Sequence, residues 1–106
     1  MGIPKTIGNR ELIRDFRLPD VDEVVGILQL NGQYGFEEVD GPEAMKRVKA
    51  RKSAIFLVCE YESKVVGAIR GSYDGSRAVI HQLSVHPAHQ RRGIGTALVK
   101  EAVVVR

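Results

Sequence analysis

Apolar residues recur along this chain with two periods, and the switching between them lays out the expected elements. Val21, Val24, Val25 and Leu28 stand at i, i+3, i+4 and i+7, which puts them on one side of a helix. Asp20 with Glu23 three residues later predicts a capping box at its start, and Asn31-Gly32 predicts its end. Before this helix, Glu11 to Arg17 alternates as a strand, and Leu18-Pro19-Asp20 turns the chain. After it, Gln33 to Asp40 mixes Tyr34, Gly35 and Phe36 with Glu37 and Glu38 and reads as a loop. Asp40 is then placed to cap a second helix, with Pro42 in the first turn, Glu43 three residues on, Met45 and Val48 as its apolar side, and an end near Arg51 or Lys52.

The period then changes to that of strands. Ala54 to Glu60, Val65 to Gly71 and Arg77 to Val85 read as a meander, joined at Tyr61-Glu62-Ser63-Lys64 and at Asp74-Gly75. Gly67 inside the middle strand implies a close backbone approach or a weak point. Pro87 ends the last strand, and helical spacing returns with Ile94, Leu98, Ala102 and Val105. Met1 to Asn9 shows neither period and reads as an irregular end. With no repeat, linker or low-complexity tract, residues 1–106 read as one domain of the α+β class.

Composition adds exclusions. A formal net charge of +3 is too mild to imply nucleic acid without a clustered basic face. The one basic run, Lys46, Arg47, Lys49, Arg51 and Lys52, falls late in the second helix, where cations favour the helix dipole and a solvated face is the simpler reading. A single cysteine, Cys59, excludes an intrachain disulfide and sits in an apolar strand, so core packing is preferred over a nucleophilic role. No metal-ligand cluster, membrane-spanning run or secretory leader is visible, so the expected location is cytoplasmic. Met1-Gly2-Ile3-Pro4-Lys5-Thr6 fits the permissive myristoylation pattern and is read as chance.

The stretch Gln90-Arg91-Arg92-Gly93-Ile94-Gly95-Thr96-Ala97 carries the clearest chemistry. Its glycines open a helix, whose unpaired N–H groups and positive dipole end suit a phosphate, and Arg91 and Arg92 add charge. The dinucleotide fingerprint does not fit, because Leu98 stands where a third glycine belongs, and no Gly-Lys-Ser/Thr follows as a Walker loop requires. What remains is a strand ending in Leu83-Ser84-Val85, then His86-Pro87, Gln-x-x-Gly-x-Gly and an amphipathic helix.

That order resembles the acetyl-CoA-binding motif of the GCN5-related N-acetyltransferases, written Arg/Gln-x-x-Gly-x-Gly/Ala. The resemblance implies an N-acetyltransferase with a mostly antiparallel sheet and helices on both faces. It implies that Gln90, Arg91, Arg92, Gly93, Ile94, Gly95 and Thr96 hold the pyrophosphate of acetyl-CoA, and that the backbone of Leu83, Ser84 and Val85 pairs with the pantetheine arm and faces the thioester. The reaction it implies is direct attack by a primary amine of a small molecule or peptide in a ternary complex. The glutamate many members use as base is replaced by Val79; His81, two residues on, resembles the histidine of a branch whose run is His-x-Leu-Ala-Val. His81 is therefore the candidate catalytic base, with a satisfied core histidine as the alternative. His86 and His89 read as surface groups.

In that family the segment joining the first two helices lines the acceptor site, which points to Tyr34, Glu37 and Glu38, with Asp40 adding to an acidic lining suited to a cationic amine. The family continues with a fifth strand, a helix and two closing strands. Here the chain stops at Val103-Val104-Val105-Arg106, in what reads as a helix, so the domain is expected to be truncated, with an open strand edge that invites a homodimer or a borrowed strand. The tyrosine that serves as general acid in the family has no counterpart. A catalytically silent acyl-CoA-binding or regulatory module is thus the alternative to an enzyme.

Overall fold

The computed structural model describes residues 5–7 and 11–104, with side chains from residue 11. Strands β1 (Lys5–Ile7), β2 (Glu11–Asp15), β3 (Ala54–Tyr61), β4 (Lys64–Tyr73) and β5 (Ala78–Val85) form one sheet in sequence order, every neighbouring pair antiparallel. Helices α1 (Val21–Leu30), α2 (Glu37–Asp40) and α3 (Pro42–Lys49) intervene between β2 and β3, and α4 (Ile94–Val103) follows β5.

Residues pointing to opposite faces of β3 feed two cores, as the two-residue period of a strand dictates. Phe56 and Val58 join Val24, Ile27, Leu28 and Met45 of α1 and α3, with Phe16 stacked on Phe56 at 3.9 Å between ring centroids. Ile55, Leu57 and Cys59 meet Ile94, Leu98 and Ala102 of α4. Burial on both faces explains why Ile55 to Cys59 is a continuous apolar run. At about 1.5–3 kcal/mol for each large buried side chain, these two layers dominate the stability. Gly67 is the predicted close approach: a Cβ there would lie 3.2 Å from Ile94 Cγ2 and 3.3 Å from Leu98 Cδ1, so the glycine lets α4 seat on β4.

Several expectations are corrected. The N-terminal stretch contributes β1, whose three residues pair with β2 in the register Thr6↔Leu12; three residues are too few for a strand's alternation to show in the sequence. The remainder of Met1 to Asn9, the myristoylation pattern's Gly2 and Val105 lie outside the described residues. The capping box does not form. Both carboxylate oxygens of Asp20 accept from the buried Arg14 guanidinium at 2.8 and 2.9 Å, and one also accepts from Arg17 N at 2.8 Å. Glu23 accepts from Val65 N at 3.0 Å instead. A buried guanidinium costs far more to leave unpaired than a helix end does, so Arg14 captures the carboxylate. The segment read as a loop holds the helical turn α2, and Asp40 belongs to that turn, leaving Gly41 at the start of α3. Helix α4 ends at Val103, with Val104 extended, while Leu98 and Ala102 are buried as the periodicity required.

Candidate functional site

The junction of β5 and α4 has the backbone geometry of a candidate anion cradle. Past a 3-10 turn at Pro87–His89, Arg91 (φ 66°) and Gly93 (φ 84°) adopt left-handed backbone on either side of Arg92. Alternating handedness turns successive N–H groups to one side, the nest geometry that binds anions. Ala97 N donates to Gly93 O at 3.0 Å, so the amides of Ile94, Gly95 and Thr96 precede the first residue able to bond four back to Gly93. Gly93 has open space on its side-chain side, and its glycine is required by φ. At Gly95 a Cβ would lie 3.6 Å from Leu83 Cδ2 and 3.8 Å from Val85 Cγ2, which places the helix start directly on β5. The side chains here are engaged elsewhere: Gln90 Nε2 donates to Val85 O at 2.9 Å, and Arg92 lies 5.9 Å from the centre of the Tyr61 ring. Ile94 is buried as the helix anchor, while Arg91 and Thr96 are exposed. The cradle is therefore made of backbone.

Beside it runs the outer edge of β5. His86 N donates to Val66 O at 2.8 Å, and antiparallel alternation then turns the N–H and C=O of Val85 and Leu83 away from β4. Side-chain amides from the end of α1 meet the outward carbonyls. Asn31 Nδ2 donates to Val85 O at 2.9 Å and to Ser84 Oγ at 2.6 Å, and Gln33 Nε2 donates to Leu83 O at 3.1 Å. The N–H groups of Leu83 and Val85 face the same open edge.

His81 stands on a β-bulge. Arg70 pairs with Gln82 and Gly71 with Ile80, so His81 is the extra residue of β5. The bulge needs Gly71, where a Cβ would fall 2.3 Å from Val79 O. Val79, His81, Gln82 and Ser84 lie on the face of the sheet covered by α1 and α3, and His81 Nε2 is 3.2 Å from Ser72 Oγ. His81 is exposed at the mouth of a cleft of about 630 Å³ between α3 and the sheet, together with Glu38, Arg47, Arg51, Ser53 and Ser72. It is not a core histidine.

The segment after α1 closes over this face. Asp40 is buried and accepts from Gly35 N at 2.8 Å, Arg70 Nη2 at 3.1 Å and Gln82 Nε2 at 3.3 Å. Burial opposes its ionisation, but the Gly35 N–H, the Gln82 amide and the Arg70 charge together hold its pKa below the ordinary carboxylate value. Its charge is thus spent inside the fold and does not line an acceptor site. Tyr34 is half-buried against the α1 core, Glu37 is exposed, and Glu38 reaches the cleft.

Other reactive groups fall outside the site. Cys59 is fully buried, and burial first, then Glu11, push its thiol up to about 11, so it stays protonated. His89 is partly covered rather than a plain surface group: its ring packs 5.1 Å from that of Tyr61, and burial, Arg92 and His86 lower its pKa. Among the described residues, no group of three or more His, Cys, Asp or Glu side chains is placed to hold a metal ion, and no helix is long and apolar enough to cross a membrane. From the sequence, Asn31 reads only as a helix end and Arg47 and Arg51 only as part of a solvated helix face, while Gly71, Gln33 and Arg70 carry no functional reading. Only Gly71 carried a signal, as an isolated glycine within a strand.

The sequence model of the acetyltransferase (GNAT) family matches residues 21–105. The chain is 37% identical over 90 residues to Acetyltransferase SG1711 of Sodalis glossinidius, covering 82% of this chain and 61% of that protein. It is also 37% identical over 87 residues to Acetyltransferase plu1384 of Photorhabdus laumondii, covering 82% and 60%. The chain thus spans about three fifths of the length of these curated relatives. The PaiA N-acetyltransferase of Thermoplasma acidophilum, solved in complex with coenzyme A, superposes with a TM-score of 0.74 at 19% identity, covering 87% of this chain and 69% of that one, a likeness of fold.

Proposed function

The chain belongs to the acetyltransferase (GNAT) family, and we propose that it binds acetyl-CoA and serves transfer of the acetyl group to a primary amine of a small molecule or peptide in the cytoplasm. The observation that carries this reading is the pair of left-handed residues, Arg91 and Gly93, opening α4 directly beside the outward amides of Leu83 and Val85. A backbone nest fits a pyrophosphate, and an open strand edge fits an extended arm bearing amide groups. The residues present therefore suit coenzyme A.

Acetyl-CoA, when bound, supplies an acetyl group activated as a thioester. Within the chain, the nest at Arg91 to Thr96 binds phosphate oxygens, and the β5 edge at Leu83 to Val85 orients the arm. The outward amides of Leu83 and Val85 are preorganised donors of the kind that stabilise negative charge on a carbonyl oxygen, and they need no reorganisation to do so. An attacking ammonium must lose a proton to become nucleophilic, and His81 Nε2, exposed at the cleft mouth, is the group assigned to take it. Transfer would form the carbon–nitrogen bond at the expense of the carbon–sulfur bond, with coenzyme A as the leaving group. Ser72 Oγ orients the imidazole. The test is acetyl transfer from acetyl-CoA to a panel of primary amines. Turnover that saturates in both reactants supports the reading; coenzyme A binding without transfer to any amine assigns the chain to a silent acyl-CoA-binding module.

A further inference from the structure

The cleft at His81 has a charge pattern that the acidic composition of the α1–α3 connection does not suggest. Its lining carries three guanidiniums, Arg47, Arg51 and Arg70, against one carboxylate, Glu38. Arg70 is balanced by Asp40 at 3.1 Å. Arg47 donates to the backbone carbonyl of Glu38 at 2.9 Å, and neither it nor Arg51 makes an ion pair among the described residues. Arg47 lies in the last turn of α3 and Arg51 two residues beyond its end, both lining the cleft.

The helix dipole explains cations here but not their identity. The neighbouring basic residues that do not line the cleft, Lys46, Lys49 and Lys52, are all lysines, and both cleft-lining positions are arginines. A planar guanidinium fork matches a carboxylate or phosphate in a way an ammonium does not. Val39, Ala44 and Val48 give the cleft apolar walls that strengthen such an interaction, and its volume of about 630 Å³ suits a small molecule.

From this juxtaposition we infer that the acceptor is an amine that also carries an anionic group, held by Arg47 and Arg51 while its amine faces His81. The inference rests on the acetyltransferase reading and names its substrate class. It reverses the acceptor charge that Glu37, Glu38 and Asp40 imply by composition alone, because Asp40 is buried against Arg70.

Titration of the chain, with and without saturating coenzyme A, followed by amide NMR shifts, tests the inference without requiring turnover. The probes are 4-aminobutyrate, 2-aminoethyl phosphate, 4-aminobutanamide and 1,4-diaminobutane. One of the two anionic amines is expected to bind at least tenfold tighter than the amide and the diamine, with shifts at α3 and His81; the tighter one assigns the anion. Arg51→Gln and Arg47→Gln are expected to erase that preference, while Lys49→Gln, which removes the same charge away from the cleft, keeps it. Equal or tighter binding of the diamine, a preference that survives both arginine variants, or no binding by any probe overturns the inference. Calorimetry with coenzyme A alone separates this failure from failure of the acetyl-CoA reading, since Arg47 and Arg51 lie outside the cradle.

Discussion

Gly71 makes the room in which His81 leaves the regular ladder: the extra residue of β5 sits opposite a position where any β-carbon would fall 2.3 Å from Val79 O. The obstructing atom belongs to the backbone, so no rotamer change relieves it. Gly71→Ala is therefore expected to destabilise the chain by about 1–3 kcal/mol, as overpacking does, and to lower acetyl transfer by re-aiming the imidazole. Urea unfolding with amide NMR across Ile80 to Gln82 checks this; unchanged stability and shifts would contradict the role given to the glycine.

Replacing the imidazole itself gives a different signature. His81→Ala is expected to reduce turnover roughly a hundredfold, the usual contribution of general base catalysis, while coenzyme A affinity holds within twofold. The acidic limb of the kcat/KM profile, where the base becomes protonated, should vanish with it. A variant that keeps both rate and limb places the base elsewhere.

Asp40 ties the segment after α1 to β4 and β5, so its ionisation is linked to stability. Its folded pKa lies below the ordinary value of about 3.9, as does that of Asp20 beside Arg14. The stabilisation is thus fully present above about pH 4 and is lost as pH falls through the lowered folded values. Asp40→Asn leaves Arg70 buried without its counter-charge and should cost about 3 kcal/mol at pH 7. It should also remove part of the acid-induced loss between pH 5 and pH 2, read from urea midpoints across that range.

Cys59 offers a probe of the core that α4 completes. Fully buried, with its thiol pushed up to about 11, it should resist a thiol reagent at pH 8 in the native chain and react on unfolding. Labelling at the rate of a free thiol in native buffer would show that α4 does not cover β3 as described.

Most of this architecture was legible because its periods are strong. The Val21 to Leu28 stripe, the Asp74-Gly75 hairpin and the glycines of the cradle all appear where pattern and turn chemistry place them. What escaped depended on contacts between distant segments. Asp20 is taken from its cap by Arg14, and Asp40 from its expected helix by Arg70, thirty residues away in sequence. Strand β1 has too few residues to show a period. The His81 bulge is a matter of register, which alternation in one strand cannot reveal. Arg47 and Arg51 look like a solvated helix face until the sheet is set beneath them.

Titration calorimetry with coenzyme A decides whether the backbone between Arg91 and Thr96 grips a pyrophosphate. The unaltered chain should bind, and Gly95→Val, whose branched side chain intrudes between the start of α4 and Leu83 and Val85, should bind at least tenfold more weakly, about 1.4 kcal/mol. A melting curve for the variant establishes that it remains folded. Absence of binding by the unaltered chain, or undiminished affinity in a folded Gly95→Val, would show that this backbone does not hold the pyrophosphate.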